Sequence, residues 1–163
     1  MTVNEESEEV TVEEVTVEEV VEATVAEHVP VVEVERAIEA NPNFAVAYNN
    51  FGNALTQLGN YEFAFQCFER AIQLHPNYID AYINFGNSLK KFKAYSEAIH
   101  CYQHALTIDP RNAMIFNLLG EVYYEIGDAD LAKTYYAKSL ELNPNNYEAR
   151  LALTVAQIPK VYR

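Results

Sequence analysis

Residues 48–76 read YNNFGNALTQLGNYEFAFQCFERAIQLHP, and residues 82–110 read YINFGNSLKKFKAYSEAIHCYQHALTIDP. The second stretch repeats the first at a distance of 34 residues, and a third copy follows at residues 116–144. Two residue types mark the same step, with prolines at Pro42, Pro76, Pro110 and Pro144 and glycines at Gly52, Gly86 and Gly120. A fixed step of this length indicates one structural unit that is copied and stacked, because each unit buries its apolar face only against its neighbours.

Within each copy, the apolar residues recur at intervals of three and four. Tyr48, Phe51 and Leu55 follow this spacing, so they form one stripe along a helix. Gly59-Asn60 then offers residues that tolerate the positive φ at which a helix ends, and the proline at the end of each copy stops a second helix. The pattern predicts an all-α fold with helices at residues 45–58, 61–74, 79–92, 95–108, 113–126 and 129–142.

The order of residues in each copy resembles a known repeat. The second copy has an aromatic residue, a Phe-Gly pair, a Leu, an Ala four residues before a second aromatic, and a closing Pro, at Tyr82, Phe85, Gly86, Leu89, Ala98, Tyr102 and Pro110. This order resembles the tetratricopeptide repeat. The departures are small: Leu55 and Leu89 replace a usual Tyr, Ser139 replaces an Ala, and Lys93 stands where the other copies have Gly59 and Gly127.

The resemblance implies a right-handed superhelix of helix-turn-helix units. Full repeats are expected at about residues 45–78, 79–112 and 113–146, which we call repeats 1, 2 and 3. Residues 34–38 align in register with residues 68–72, so a capping helix is expected at residues 31–40, and a second one at residues 147–157. The repeat domain would then span residues 31–157, followed by a C-terminal end at residues 158–163.

The acidity of the chain is concentrated before the repeats. Residues 1–40 contain thirteen Glu and one Arg, a net charge of −12, whereas residues 41–163 contain eleven acids and ten bases, a net charge of −1. Such a tail repels nucleic acid and anionic membranes and favours a basic partner. Residues 1–30 form this low-complexity tail, for which two interpretations stay open: disorder throughout, or disorder to about residue 15 and a weak helix at residues 16–28.

The surface of interest is the concave groove that stacked first helices form in tetratricopeptide-repeat proteins. The resemblance places these residues in the groove, where they would bind an extended peptide: Asn49, Asn50, Asn53, Gln57, Asn84, Asn87, Lys90, Lys91, Met114, Asn117, Leu118, Glu121 and Tyr124. Val46, Thr56, Asp80, Ile83 and Glu125 share these registers. We expect that none of these positions is needed for the packing of the repeats.

The asparagines suggest how such a peptide would be held. A carboxamide has both donors and acceptors, so a row of them can bond to a peptide backbone without reading its side chains. Lys90 and Lys91 would favour an acidic residue of the peptide, and Met114, Leu118 and Tyr124 an apolar one. The competing interpretation is an Asn-rich helix face that is merely exposed to water. The acidic tail could also occupy the groove near the two lysines, as a tethered ligand at high effective concentration.

Two further family resemblances bear on function. Repeat proteins that clamp a peptide's terminal carboxylate carry bases at groove positions where this chain has Met114 and Leu118, so that chemistry is not expected. The ladder of Asn50, Asn53, Asn84 and Asn87 is similar to the arrays that precede the catalytic part of O-linked N-acetylglucosamine transferases. The alternative function is therefore the substrate-recognition arm of such a glycosyltransferase.

The sequence offers no catalytic or cofactor site. His100 and His104 have the spacing of two metal ligands on one helix face, but no third ligand accompanies them, so we interpret them as surface residues. Cys67 and Cys101 occupy equivalent positions in stacked units, too far apart for a disulfide, and are expected to be reduced thiols. With no signal peptide and no long apolar run, we expect a cytoplasmic binding protein that uses neither nucleic acid nor membrane and can self-associate through its terminal helices or its tail.

Overall fold

Seven helices follow one another in the residues that the structure, a computed structural model, describes, which are 44–157. They are α1 (Phe44–Gln57), α2 (Tyr61–Leu74), α3 (Ile79–Lys91), α4 (Tyr95–Ile108), α5 (Ala113–Glu125), α6 (Ala129–Leu142) and α7 (Tyr147–Gln157). These residues contain no strand, so the predicted all-α class is confirmed. Each predicted repeat helix agrees with the observed one to within one residue at either end. The expectations for the tail, for a capping helix at residues 31–40 and for residues 158–163 lie outside the described residues.

The helices pack as consecutive pairs. α1 pairs with α2, α3 with α4 and α5 with α6, and each pair also contacts the next one. The first helices of neighbouring pairs lie side by side, since α1 contacts α3 and α5 contacts α7. The groove positions predicted from the sequence therefore lie on helices that are neighbours in space.

Within each pair, an aromatic ring of the second helix packs directly on a glycine of the first. A Cβ atom at Gly86 would lie 2.5 Å from Cε1 of Tyr102, and one at Gly120 would lie 2.6 Å from the ring of Tyr136. Real Cβ atoms do not approach other atoms this closely, so only glycine leaves room for the ring. The glycine that recurs at every 34-residue step therefore marks the place where the ring of the second helix lies.

Aromatic contacts join repeat 1 to repeat 2. The ring of Phe85 on α3 lies 5.6 Å from the ring of Phe65 and 5.7 Å from that of Phe68, both on α2. Phe65 also packs edge-on against Phe92, with ring centroids 5.6 Å apart. Such pairs contribute beyond the apolar area they bury. These contacts fix the position of α3 relative to α2. Because α2 is packed against α1, they also fix the distance between the groove-facing sides of α1 and α3.

The turn inside each pair has the same geometry in all three repeats. Gly59, Lys93 and Gly127 adopt positive φ values of 79°, 66° and 90°. The next amide in each turn donates back to the preceding helix, from Asn60 to Leu55 O at 2.9 Å and from Ala94 to Leu89 O at 2.9 Å. Lys93 thus adopts a left-handed conformation that favours glycine, because the other residues of its turn keep the geometry of the glycine-containing copies.

We predict that Gly86→Ala destabilises the protein by about 1–3 kcal/mol, because the added methyl group forces the Tyr102 ring to move within a packed core. Urea unfolding followed by circular dichroism measures the change. In a Tyr102→Ala background the ring is gone, so the same substitution should cost far less, since alanine is the better helix former. An equal cost in both backgrounds would contradict the contact as the cause.

We predict that Lys93→Gly stabilises the protein by about 0.5–1 kcal/mol, because it relieves an L-residue of the left-handed conformation. The matched control is the reverse change, Gly127→Lys, which should destabilise. No atom lies within 4 Å of the position of a Cβ at Gly127, so its cost reports backbone conformation alone. Urea midpoints that do not move in opposite directions for the two variants would refute the explanation.

Candidate peptide-binding groove

A polar depression of about 390 Å³ lies between the ends of α1 and α3. Its lining includes six of the residues predicted from the sequence, namely Asn53, Gln57, Asn84, Asn87, Lys90 and Lys91. Thr56 and Ser88 complete the wall. We call this set the polar site. Ser88 was missed because serine on a helix carries no distinguishing signal in one sequence.

The expectation that the groove positions play no part in packing is wrong for four buried positions and for the half-buried Leu118. Asn49, Thr56, Ile83 and Asn117 are buried. They lie where the first helices of neighbouring repeats meet, so their side chains fill the interface between repeats. Thr56 Oγ1 shows the role, since it donates to Gly52 O at 2.8 Å and lies 2.7 Å from Ser88 Oγ on the next repeat.

Two asparagines of the polar site are held in opposite orientations by internal hydrogen bonds. Asn84 donates through Nδ2 to Asn49 Oδ1 at 3.0 Å, which leaves its own Oδ1 as an acceptor. Asn87 accepts through Oδ1 from the hydroxyl of Tyr102 at 2.7 Å, which leaves its Nδ2 as a donor. One turn of α3 therefore presents an acceptor and a donor to the same depression, the complement of the N–H and C=O of an extended peptide.

Tyr102 can hold Asn87 only while its hydroxyl keeps its proton. Burial raises the pKa of this hydroxyl far above its ordinary value, with Glu121 among the smaller causes. Tyr102 therefore remains a hydrogen-bond donor throughout the physiological pH range. The equivalent residue in repeat 1 is Phe68, which has no hydroxyl, so Asn53 lacks the anchor that Asn87 has.

The two lysines of the polar site differ in their surroundings. Lys90 Nζ lies 2.5 Å from Glu121 Oε2 on α5, and the pair is partly buried. Asn117 Nδ2 donates to the other oxygen of Glu121 at 2.8 Å. Lys91 is exposed and, among the described residues, forms no ion pair. Lys90 thus joins repeat 2 to repeat 3, while Lys91 is the base available to a ligand.

Comparison with protein families identifies the repeats. A family model described as tetratricopeptide repeat matches residues 43–111, and a second model with the same description matches residues 115–146. The chain belongs to the tetratricopeptide-repeat family. The resemblance drawn from the spacing of glycines, aromatics and prolines is confirmed, and with it the helical solenoid that it implied.

Other tetratricopeptide-repeat proteins are similar to this one over part of its length. A "TPR repeat-containing protein" of Borreliella burgdorferi is 41% identical over 46 residues, which cover 28% of this chain and 20% of that protein. The first TPR domain of Spaghetti (RPAP3), solved with the HSP90 peptide SRMEEVD, is 22% identical with a TM-score of 0.65, over 71% of this chain and 92% of that domain. The second TPR domain of human RPAP3, solved with the HSP70 peptide SGPTIEEVD, is 24% identical with a TM-score of 0.65, over 71% and 96%. MamA is 22% identical with a TM-score of 0.66, over 75% and 71%.

A second, apolar depression of about 280 Å³ lies farther along this tetratricopeptide-repeat array. It is lined by Tyr124, Tyr136, Glu148, Leu151, Ala152 and Val155, and we call it the apolar site. Of these, only Tyr124 was predicted as a groove residue; Leu151 and Val155 lie on the helix at residues 147–157 that the sequence predicts as a cap. The 34-residue step would have found them, because Glu148, Leu151 and Val155 follow Met114, Asn117 and Glu121 by one repeat.

The other predicted groove residues lie outside both depressions. Asn50 and Met114 are exposed. Leu118 is half-buried and packs against the core around Tyr102, so it contributes to stability as well as to the surface.

The histidine and cysteine side chains are the remaining candidates for a chemical role. His104 stacks on Tyr82 with ring centroids 4.2 Å apart, and within residues 44–157 no group of His, Cys, Asp and Glu could hold a metal ion. Both cysteines are present as thiols. Burial, with Glu69 and Glu97 nearby, raises the pKa of the Cys101 thiol to about 12, so it is a poor nucleophile at neutral pH. In the described part of the chain, no helix has the length and apolar character needed to cross a membrane.

Proposed function

We propose that this protein is an interaction module that binds an extended segment of a partner protein in the polar site and has no catalytic activity of its own. The observation that carries the proposal is the pair of oppositely oriented carboxamides, Asn84 and Asn87. Each is fixed by a hydrogen bond inside the protein, so a ligand bond costs little further ordering of the side chain. An exposed Asn-rich face without a ligand would not require such anchoring.

The solved neighbours support the class of function. Two of them hold peptides of the chaperones HSP90 and HSP70, as their descriptions state. Their identity to this chain is 22% and 24%, so the likeness supports the shared fold, and the ligand of this chain is argued from its own residues. Lys91 favours an acidic side chain in the segment. Lys90 contributes less, because Glu121 already neutralises it.

The chain's own tail is a second candidate ligand for the polar site. Residues 8–10, 13–15 and 18–20 each read Glu-Glu-Val, so the tail carries repeated pairs of carboxylates beside an aliphatic residue. Lys91 would attract these acids, whereas the exposed Glu125 opposes them farther along the groove. Binding of the tail at the polar site stays a hypothesis drawn from the sequence, in which the tail would act as a tethered competitor of an external segment.

The alternative of a recognition arm for an O-linked N-acetylglucosamine transferase stays a hypothesis. Finding that the natural reading frame continues into a glycosyltransferase domain would support it, and a frame that ends with the repeats would remove it. Cytoplasmic location stays a prediction as well.

We predict that Asn87→Asp abolishes most of the binding while preserving the fold. A carboxylate still accepts from the Tyr102 hydroxyl, but it replaces the outward Nδ2 donor with an acceptor, so a peptide carbonyl meets an unfavourable partner. The loss should be about 1–3 kcal/mol, measured by calorimetry with a peptide captured by the full chain.

The matched control for this experiment is Gln103→Glu. Gln103 is an exposed carboxamide on α4, outside the polar site, and its substitution adds the same charge. It should leave affinity unchanged. Unaltered binding by Asn87→Asp, with thermal unfolding the same as in the unmodified protein, would refute the assignment of Asn87.

We predict that deleting residues 1–29 raises affinity for a captured peptide severalfold at low salt, because the tethered competitor is removed. The gain should vanish as ionic strength rises, since exposed charge pairs are screened over about 10 Å at 0.1 M salt. Equal affinities for the full and shortened chains at low salt would eliminate the tail as a ligand.

A further inference from the structure

The apolar site has two exposed aliphatic residues, both on α7. Leu151 is 54% exposed and Val155 is 37% exposed. In the three full repeats, the side of the first helix that faces its partner helix carries aromatic residues and glycine. Of the equivalent positions on α7, Arg150, Thr154 and Gln157 are exposed, whereas Leu153 is half-buried and packs against the core around Tyr136. Leu151 and Val155 instead hold the groove register. Leu151 shares the register of Asn49, Ile83 and Asn117, which are buried where first helices of neighbouring repeats meet, so its exposure reflects its place on the last described helix.

The size of the apolar site fits a side chain. Its volume of about 280 Å³ lies below the range of roughly 300–1,000 Å³ that is typical of pockets for small organic ligands. Tyr124 and the buried Tyr136 form its floor together with Ala152. Such a lining offers dispersion contacts and the removal of apolar surface from water, which is what an aliphatic side chain gains on burial.

The charge around the apolar site determines which residue can lie next to that side chain in the bound segment. Glu148 lines the site and is exposed, and Glu125 at the end of α5 is exposed as well. None of the residues that line it is basic. A cation beside the aliphatic side chain would therefore be attracted, and an acidic neighbour repelled.

We propose that the apolar site binds one aliphatic side chain of the partner segment, next to a Lys or Arg that pairs with Glu148. This proposal rests on the proposed function and adds a sequence requirement to it. Two copies of this chain meeting at the site would bring their acidic rims together, which disfavours self-association there. The partner is a peptide segment that contains an aliphatic residue beside a basic one.

Selection of random dodecapeptides displayed on phage tests this requirement on the full chain. Peptides selected by the unmodified protein should be enriched in Leu, Ile or Met next to Lys or Arg. The double variant Leu151→Ser, Val155→Ser should lose the aliphatic enrichment and bind the selected peptides about tenfold more weakly. Glu148→Lys should replace basic by acidic residues in the selected set.

Two matched controls lie on α6. Leu131→Ser removes a leucine that is 40% exposed, and Glu141→Lys reverses an exposed charge, both outside the apolar site. Neither should change the selected sequences, and circular dichroism should show the helical content of the unmodified protein in every variant.

The outcomes separate the two proposals. Peptides that are selected without the aliphatic and basic pair, or that bind the Leu151 and Val155 variant equally well, overturn this inference and leave the polar site standing. A sedimentation experiment in which the protein is a dimer that Leu151→Ser dissociates also overturns it, because the site is then a contact between copies. Failure of the unmodified protein to select any peptide overturns both proposals.

Discussion

The two helices of each pair pack closely because an aromatic ring of the second helix occupies the space beside a glycine of the first helix, where any other residue would place its Cβ atom. The rings of Phe68, Tyr102 and Tyr136 pack on Gly52, Gly86 and Gly120 at distances that exclude a Cβ atom. The ring is buried in every repeat, so the contact fixes how closely the two helices approach and, through the next pair, how the first helices align. The groove exists because this contact recurs at a constant step.

The same contact also determines the chemistry of the groove. Tyr102 packs its ring on Gly86, and its hydroxyl reaches Asn87 one residue farther along the same helix. A residue that closes the helix pair therefore orients a residue of the polar site. In repeat 1, Phe68 closes the pair equally well but cannot hold Asn53. The repeats share one scaffold, and a single hydroxyl makes their groove positions differ in rigidity.

The sequence predicted the helices closely because glycine, proline and apolar spacing act locally and repeat three times. It could not distinguish the buried Asn49 from the exposed Asn50, because burial of Asn49 depends on Tyr78, which precedes α3, and on Asn84 in repeat 2. The pairing of Lys90 with Glu121 depends on a contact across 31 residues for the same reason. The repeat step reaches Leu151 and Val155, but no second helix follows α7 in the pattern, so the sequence predicts a cap there and not a wall of the groove.

Along the array, the residues at the groove positions change in chemical character, whereas those that pack each helix pair stay similar. Asn53, Asn87, Glu121 and Val155 hold one position in successive first helices, so the row runs from amide through acid to aliphatic. The Lys90–Glu121 ion pair lies where this row passes from amide to acid, and the two opposite charges neutralise each other. Lys91 then remains on one side, with Glu125 and Glu148 on the other. A bound segment with an acidic and a basic end would be attracted in one direction and repelled in the reverse one, so these charges set its orientation.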